Sequence, residues 1–302
     1  MRRRSLFIVI GIAVGIAIVI SYLLVWSFVQ ISIGYIAIVK LEGTIGYSRG
    51  FLSSVGITPD DVRRYVEILI SDPAAKAVVV IVNSPGGSAS ASEEIYQYIK
   101  KLAEVKTVVV YSPETLASGG YYIALPAHKI IVSPYAFVGS IGAVSIVLDV
   151  EDLLKNIGIN VTIIKSGEYK DIGSIYRSLT ADEYKIFSEL VNKSAELFIE
   201  RVKENRPNVA SEVFTARVYL GIDSVKVGLA DDIGTLEYAI SIARKLANLP
   251  QYTPTRIIER PKGLLEILLS LQTSFTENTL HRATEELFLS EFQNKILFLW
   301  IK

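Results

Sequence analysis

The stretch Ala77–Val82 reads AVVVIV, six apolar residues with no polar interruption. A strand with one wet face alternates polar and apolar residues, so a short uniform run suits a strand buried on both faces. Other segments repeat the theme. Tyr35–Leu41, Thr107–Tyr111, Ile130–Val132, Ala143–Leu148 and Val161–Lys165 read as further strands. Helical patterns fall between them. Thr58 can cap a helix with Pro59 at its first position and Asp60 and Asp61 in its first turn. Helices are expected over Ser88–Ala103, Glu151–Asn156, Thr180–Glu204 and Thr235–Leu249, with Thr180 and Glu183 in capping-box spacing. Strands alternating with helices predict an α/β domain with a mostly parallel sheet. No internal repeat or low-complexity linker interrupts it.

The N-terminus carries a second constraint. No residue from Ser5 to Val39 is charged, and the apolar stretch Leu6–Val29 follows directly on Arg2, Arg3 and Arg4. A bilayer core takes about 20 apolar residues in a helix. Lys and Arg favour the cytoplasmic side, so the expected topology is N-terminus inside and everything past about residue 30 outside. Trp26 suits the far interface. A cleaved secretory signal has a shorter apolar region ending in small residues, and this stretch ends in large ones. The expectation is a retained single-pass anchor in a cell membrane over residues 1–31, and a catalytic domain over 32–249. The Pro-bearing stretch Leu249–Pro261 reads as a boundary, and residues 250–302 as a helical tail ending in the apolar patch Ile296–Ile301.

Composition excludes several chemistries. The chain has 302 residues, ample for a buried core, with 31 Lys+Arg against 31 Asp+Glu. That balance lacks the basic face a nucleic-acid partner demands. Cysteine is absent, which removes thiol nucleophiles, disulfides and Cys-ligated metal. With His128 and His281 as the only histidines, a histidine-rich metal site is not expected, and neither is a cofactor.

Two glycine-rich turns carry the candidate chemistry. Asn83-Ser84-Pro85-Gly86-Gly87 lies between a buried strand and a helix. Adjacent glycines there let backbone N–H groups face a cleft, as an oxyanion hole requires, although a bare Pro-Gly-Gly is more often a plain tight turn. A phosphate-binding G-x-x-x-x-G-K-[ST] pattern is missing. Ala117-Ser118-Gly119-Gly120 opens an apolar helix. A serine at that place is first of all an N-cap, and its reading as a nucleophile gains from the close-approaching N–H of Gly119. A serine nucleophile needs a base. Neither histidine stands near an acidic partner in a triad pattern, which leaves lysine. Lys165–Asp171 (KSGEYKD) follows an expected strand, where loops present functional groups. Local physics does not select one lysine from it.

Four motifs occur in one order: VNSPGG at Val82–Gly87, ASGGYY at Ala117–Tyr122, GSIG at Gly139–Gly142 and SGEYKD at Ser166–Asp171. Together with Phe214–Gly234 they resemble the signal peptide peptidase A family of Ser–Lys proteases over roughly Ile36–Leu246, in its half-length form. The resemblance implies a ClpP/crotonase-like α/β spiral of repeated ββα units, preceded here by the N-terminal membrane helix. It implies Ser118 as nucleophile, Lys170 as general base, Gly86 or Gly87 with Gly119 as oxyanion donors, and Ser140 as the hydroxyl that orients the lysine. It further implies remnant signal peptides or other hydrophobic membrane-associated peptides as substrates. Homo-oligomers in which neighbouring chains share the dyad are implied as well.

A neutral lysine at pH 7 costs about 4.6 kcal/mol from a pKa of ~10.4, and burial shifts a lysine by up to about 3–5 units. Lys170 is therefore expected in a largely dry pocket, with Glu168 and Asp171 turned away. Side-chain specificity is only hinted at, by apolar neighbours of the motifs such as Leu116 and Val138. Other readings are an NfeD-associated Clp-class membrane protease with the same dyad, a crotonase-type acyl-CoA enzyme, and a non-catalytic membrane scaffold.

Overall fold

The structure, a computed structural model, describes residues 11–23, 34–48 and 56–259. The chain divides into two compact units, 1–258 and 259–302, and all but Glu259 of the second lies outside the described residues. The strands are β1 Tyr35–Glu42, β2 Ala75–Asn83, β3 Thr107–Ser112, β4 Thr115–Ala117, β5 Lys129–Val132, β6 Phe137–Gly139, β7 Val218–Leu220, β8 Asp232–Ile233 and β9 Thr255–Ile257. The helices are α1 at residues 11–23, α2 Pro59–Ser71, α3 Ala89–Ala103, α4 Gly119–Ala124, α5 Glu151–Asn156, α6 Ala181–Asn205, α7 Gly221–Lys226 and α8 Leu236–Leu246.

Six strands form a sheet in the order β8-β5-β3-β2-β1-β9, parallel at every pairing. The uniform run in β2 is explained by its two faces. Val78, Val80 and Val82 join a core with α2, α3 and α4, including Val66, Leu69, Ile95 and Ile99. Ala77, Val79 and Ile81 join a second core under α8, with Ile36, Ile38, Val109, Ala239 and Ala243. Each face is dry, so neither register position tolerates a polar side chain.

A smaller sheet, β4-β6-β7, stands beside the first. β3 runs into β4 and β5 into β6, so successive strand pairs place one strand in each sheet. β4 and β6 pair in parallel, and β6 and β7 antiparallel. The caps of α2 and α6 match the sequence expectations, and α3 is capped by Ser88. Thr58 accepts from Asp61 N–H, Ser88 from Ala91 N–H, and Thr180 and Glu183 close a full capping box on α6.

Two expectations meet a different outcome. Ala143–Leu148 and Val161–Lys165 are not strands, and neither has a ladder partner among the described residues. Their period is right for a strand, but a strand exists only where a neighbour takes up its N–H and C=O groups. Val144, Ile146 and Ile164 are 81%, 88% and 96% exposed, and α5 between the two segments buries no residue. The stretch expected as a boundary, 249–261, holds the division between the two compact units, after Ile258, and also contains β9, which pairs with β1. At the N-terminus, residues 11–23 are helical with exposed apolar side chains. Among the described residues no helix is long and apolar enough to cross a membrane. The rest of the apolar stretch, at 6–10 and 24–29, and Trp26 with it, lies outside the described residues.

Candidate active site

The two glycine-rich turns meet where β2, β4 and β6 end. Asn83 ties them at the start, its Oδ1 accepting from Thr115 N–H at 3.1 Å and its Nδ2 donating to Glu114 at 3.1 Å. Ser84 N–H donates to Thr115 O at 2.8 Å, and Ala117 N–H donates to Ser84 O at 3.2 Å. On the other side, Ile45 N–H donates to Gly86 O and Ser88 N–H donates to Ile45 O, both at 2.9 Å. The turn is thus held from both flanks, and Gly87 must be glycine. A Cβ there would fall 2.1 Å from Ile45 O.

Ser118 sits between β4 and α4 with φ 51° and ψ −125°. A left-handed conformation is unusual for a residue with a Cβ and costs of order 1–3 kcal/mol, held only where surrounding contacts impose it. Those contacts are present. Ser118 N–H donates to Gly139 O at 2.8 Å, and Ser118 O accepts from Tyr122 N–H at 3.0 Å. The side chain makes no capping bond, so the ordinary job of a serine at a helix start is not the one performed here. Its hydroxyl has no partner among the described residues and the residue is half-buried. A side chain presented from a sharp, strained strand-to-helix turn is the geometry used to expose a nucleophile.

Gly86 and Gly119 face each other across this hydroxyl. A Cβ built on Gly86, whose φ is +101°, would stand 2.7 Å from Gly119 N and 3.0 Å from Ser118 Oγ. A Cβ on Gly119 would stand 3.4 Å from Gly87 N and 2.4 Å from Ser92 Oγ. Of the three glycines, Gly86 has its N–H turned to Ser84 Oγ at 3.2 Å. The N–H groups of Gly87 and Gly119 have no acceptor among the described residues. Two free backbone donors beside a free hydroxyl can stabilise an oxyanion formed by attack of that hydroxyl.

Ser140 follows β6 and neighbours Ser118 through the pairing of Ala117 with Gly139. It too is left-handed, at φ 53°, with its N–H on Arg217 O at 3.0 Å and its hydroxyl without a partner among the described residues. The structure brings Ser118, Gly86, Gly87, Gly119 and Ser140 together. Lys170 is not joined to them. It lies exposed in the projecting 143–178 stretch and contacts no other ionisable group among the described residues. The dry pocket expected around it is absent from the single chain. Of its two acidic neighbours, Asp171 has its carboxylate taken by Lys165 at 2.7 Å and by Arg177 at 2.7 Å.

His128 is removed from consideration by position. Its Nδ1 accepts from Val108 N–H at 3.2 Å, at the end of the sheet where β3 and β5 begin, opposite Ser118. Leu116 and Val138 are both fully buried in the core, so neither can line a substrate cleft. Their strands alternate, and the apolar side points inward. Ser84 and Arg177 gained no role from the sequence. Ser84, fully buried, holds Gly86 N–H. Asp171, Arg177 and Glu183 form an ion network behind the lysine turn. The capping-box spacing flagged Glu183, but nothing local pairs it with Arg177.

Comparison with known proteins bears on this arrangement. Residues 100–250 match the model of peptidase family S49. The chain belongs to that family. It is 38% identical over 203 residues to a candidate protease of Methanocaldococcus jannaschii, covering 64% of this chain and 65% of that protein. It is 32% identical over 267 residues to the chloroplastic serine protease SPPA of Arabidopsis thaliana, covering 85% of this chain and 39% of that one. The chain therefore spans about two thirds and about two fifths of these relatives. Among solved structures, a 1510-N membrane-bound stomatin-specific protease aligns with a TM-score of 0.49 at 18% identity, over 76% of this chain and 99% of that chain.

Proposed function

We propose that this S49-family chain is a serine endopeptidase in which Ser118 attacks the scissile carbonyl and Lys170 takes the proton. The observation that carries the reading is the strained, uncapped Ser118 with two unpaired N–H groups beside it. Gly87 and Gly119 hold the tetrahedral oxyanion, and Gly86 leaves room for it by lacking a side chain. Attack of Ser118 forms an acyl-enzyme, Lys170 hands its proton to the leaving amine, and water completes the cycle with the same lysine as base. Ser140, next to Ser118 with a free hydroxyl, orients the lysine amine.

Lys170 reaches Ser118 from a neighbouring copy of the chain. Two features support this. Lys170 is exposed in the single chain, and the stretch that carries it leaves Val144, Ile146, Leu153, Ile164 and Tyr169 in solvent. That much apolar surface is expected to be covered in the working assembly. The resulting homo-oligomer would bury Lys170 enough to lower its pKa, as a base at neutral pH requires. The ClpP/crotonase-like spiral fits the way β3–β4 and β5–β6 split between the two sheets. A membrane anchor over the apolar stretch 6–29, with Arg2–Arg4 inside and the catalytic domain outside, would put hydrophobic membrane-associated peptides within reach.

The test is subunit complementation. Ser118→Ala and Lys170→Ala chains are each expected to leave a hydrophobic signal-peptide substrate uncut, with cleavage sites mapped by mass spectrometry. Co-assembled, the two inactive chains restore cleavage in mixed oligomers. Cleavage by Lys170→Ala alone refutes the base assignment. Two inactive variants that never complement refute the sharing of the dyad.

A further inference from the structure

The turn that carries Lys170 is not held by a hydrophobic core. α5 buries nothing, and the segments on either side of it are exposed. What holds the turn is a chain of charges. Arg177 donates from Nε and Nη2 to the two oxygens of Asp171, at 2.7 and 2.9 Å. The same guanidinium donates to both oxygens of Glu183, at 2.8 and 2.5 Å. Glu183 in turn accepts from Thr180 N–H at 3.0 Å and so belongs to the N-terminus of α6. Lys165 closes the other end, donating to Asp171 at 2.7 Å and to Glu168 O at 2.7 Å. Glu183 has 3% of its side chain exposed, Asp171 11% and Arg177 23%. A planar fork that engages two carboxylates at once fixes geometry as well as charge.

The placement of Asp171 gives this network a consequence for the base. Asp171 adjoins Lys170 in sequence, and an anion within about 4–6 Å of an amine favours the protonated form. A lysine that must be neutral to accept a proton cannot stand beside a free carboxylate. We propose that Arg177 is a positioning residue for Lys170, drawing the Asp171 carboxylate onto α6 and neutralising it so that the neighbouring amine can act as a base. The inference rests on the reading of Lys170 as the base. The charged groups around Asp171 are Lys165 and Arg177 from its own segment and Glu183, through Arg177, from α6. The charged residues nearest Lys170 in sequence are Lys165, Glu168 and Asp171, and no charged group of another element contacts it among the described residues. The Asp171 carboxyl is held well below the usual carboxylate range, first by Arg177 and then by Lys165, so it stays ionised throughout the working pH range.

The experiment follows the pH dependence of Ser118 acylation by a fluorophosphonate probe, using the full chain in detergent. In Arg177→Met the freed Asp171 raises the pKa of Lys170, and the acid limb of the rate profile moves up by about 1 pH unit, the lower end of what one close opposite charge imposes. Below that limb the rate falls about tenfold. In the double variant Arg177→Met with Asp171→Asn the anion is gone, and the limb returns to the wild-type pH or lower. Asp171→Asn alone keeps the wild-type limb or lowers it, and this arm stands even if Arg177→Met folds poorly. A purely structural role lowers the amplitude at every pH and leaves the limb in place, and that result overturns the proposal. A limb that stays shifted in the double variant overturns it as well. Failure of the underlying reading is seen separately, as normal labelling of Lys170→Ala.

Discussion

Gly86→Ala probes the oxyanion hole without touching a donor, the nucleophile or the base. The added Cβ would stand 2.7 Å from Gly119 N and 3.0 Å from Ser118 Oγ. Oxyanion donors hold their charge at about 2.7–3.1 Å, so the methyl carbon takes the place the oxyanion must occupy. Denying one such donor costs about 10²–10³ in kcat, equivalent to roughly 2.7–4 kcal/mol, and that is the expected loss. A second effect comes from the backbone, since Gly86 has φ +101° and a left-handed residue with a Cβ is penalised by roughly 1–2 kcal/mol. Gly158→Ala measures that penalty by itself, because Gly158 is left-handed at φ +81° with nothing within 4 Å of its added Cβ. Thermal melts of both variants, set beside kcat and KM on a fluorogenic hydrophobic peptide, separate crowding from strain. The expected pattern is a Tm drop in both variants, larger for Gly86→Ala, with kcat collapsing while the protein stays folded. Wild-type kcat in a folded Gly86→Ala enzyme would refute the placement of the oxyanion between Gly86 and Gly119.

The remaining predictions concern the same elements. Ser118→Gly abolishes cleavage yet raises Tm relative to Ser118→Ala, because it releases the left-handed strain at φ 51°; the net gain is up to about 1 kcal/mol after the added flexibility of the unfolded chain. Ser84→Ala removes the acceptor of Gly86 N–H and is expected to lower kcat by about tenfold at unchanged KM, measured on the same peptide. Glu183 is held at about 2 against an ordinary 4.5, chiefly by Arg177 and then by Thr180 N–H. A depressed carboxyl stabilises the fold above its unfolded pKa, so this contribution is full at neutral pH and is lost as pH falls from about 4.5 to about 2. Acid unfolding of Glu183→Gln, followed by circular dichroism, is expected to lose that part of the pH dependence.

How much of this was legible in the sequence depends on how far each feature's cause lies from it along the chain. The β2 run, the caps of α2 and α6, and α5 at Glu151–Asn156 were readable because their causes are local: apolar periodicity, a hydroxyl before a first turn, a Glu three residues on. Three-residue strands such as β4, β6 and β7 carry too little period to be recognised, although they are what aligns Ser118 with Ser140. Ala143–Leu148 carried the period and had no strand beside it, which no local signal could reveal.

Ser118 shows the limit most sharply. From the sequence it was an N-cap or a nucleophile, with the cap favoured by local chemistry alone. The structure adds a positive backbone angle, accompanied by hydrogen bonds to Gly139 O, 21 residues away, and from Tyr122 N–H, with the hydroxyl left uncapped. Lys170 lies further still from its cause. Lys170 is exposed in the single chain, and among the described residues the order beside it is the ion network of Asp171 with Lys165, Arg177 and Glu183. On the proposed reading, a chain that presents a nucleophile and oxyanion donors but leaves its base exposed has a site whose last component is an interface. Its activity should then follow assembly: dilution below the dissociation constant silences cleavage at constant fold, and the loss is reversed by concentration rather than by refolding.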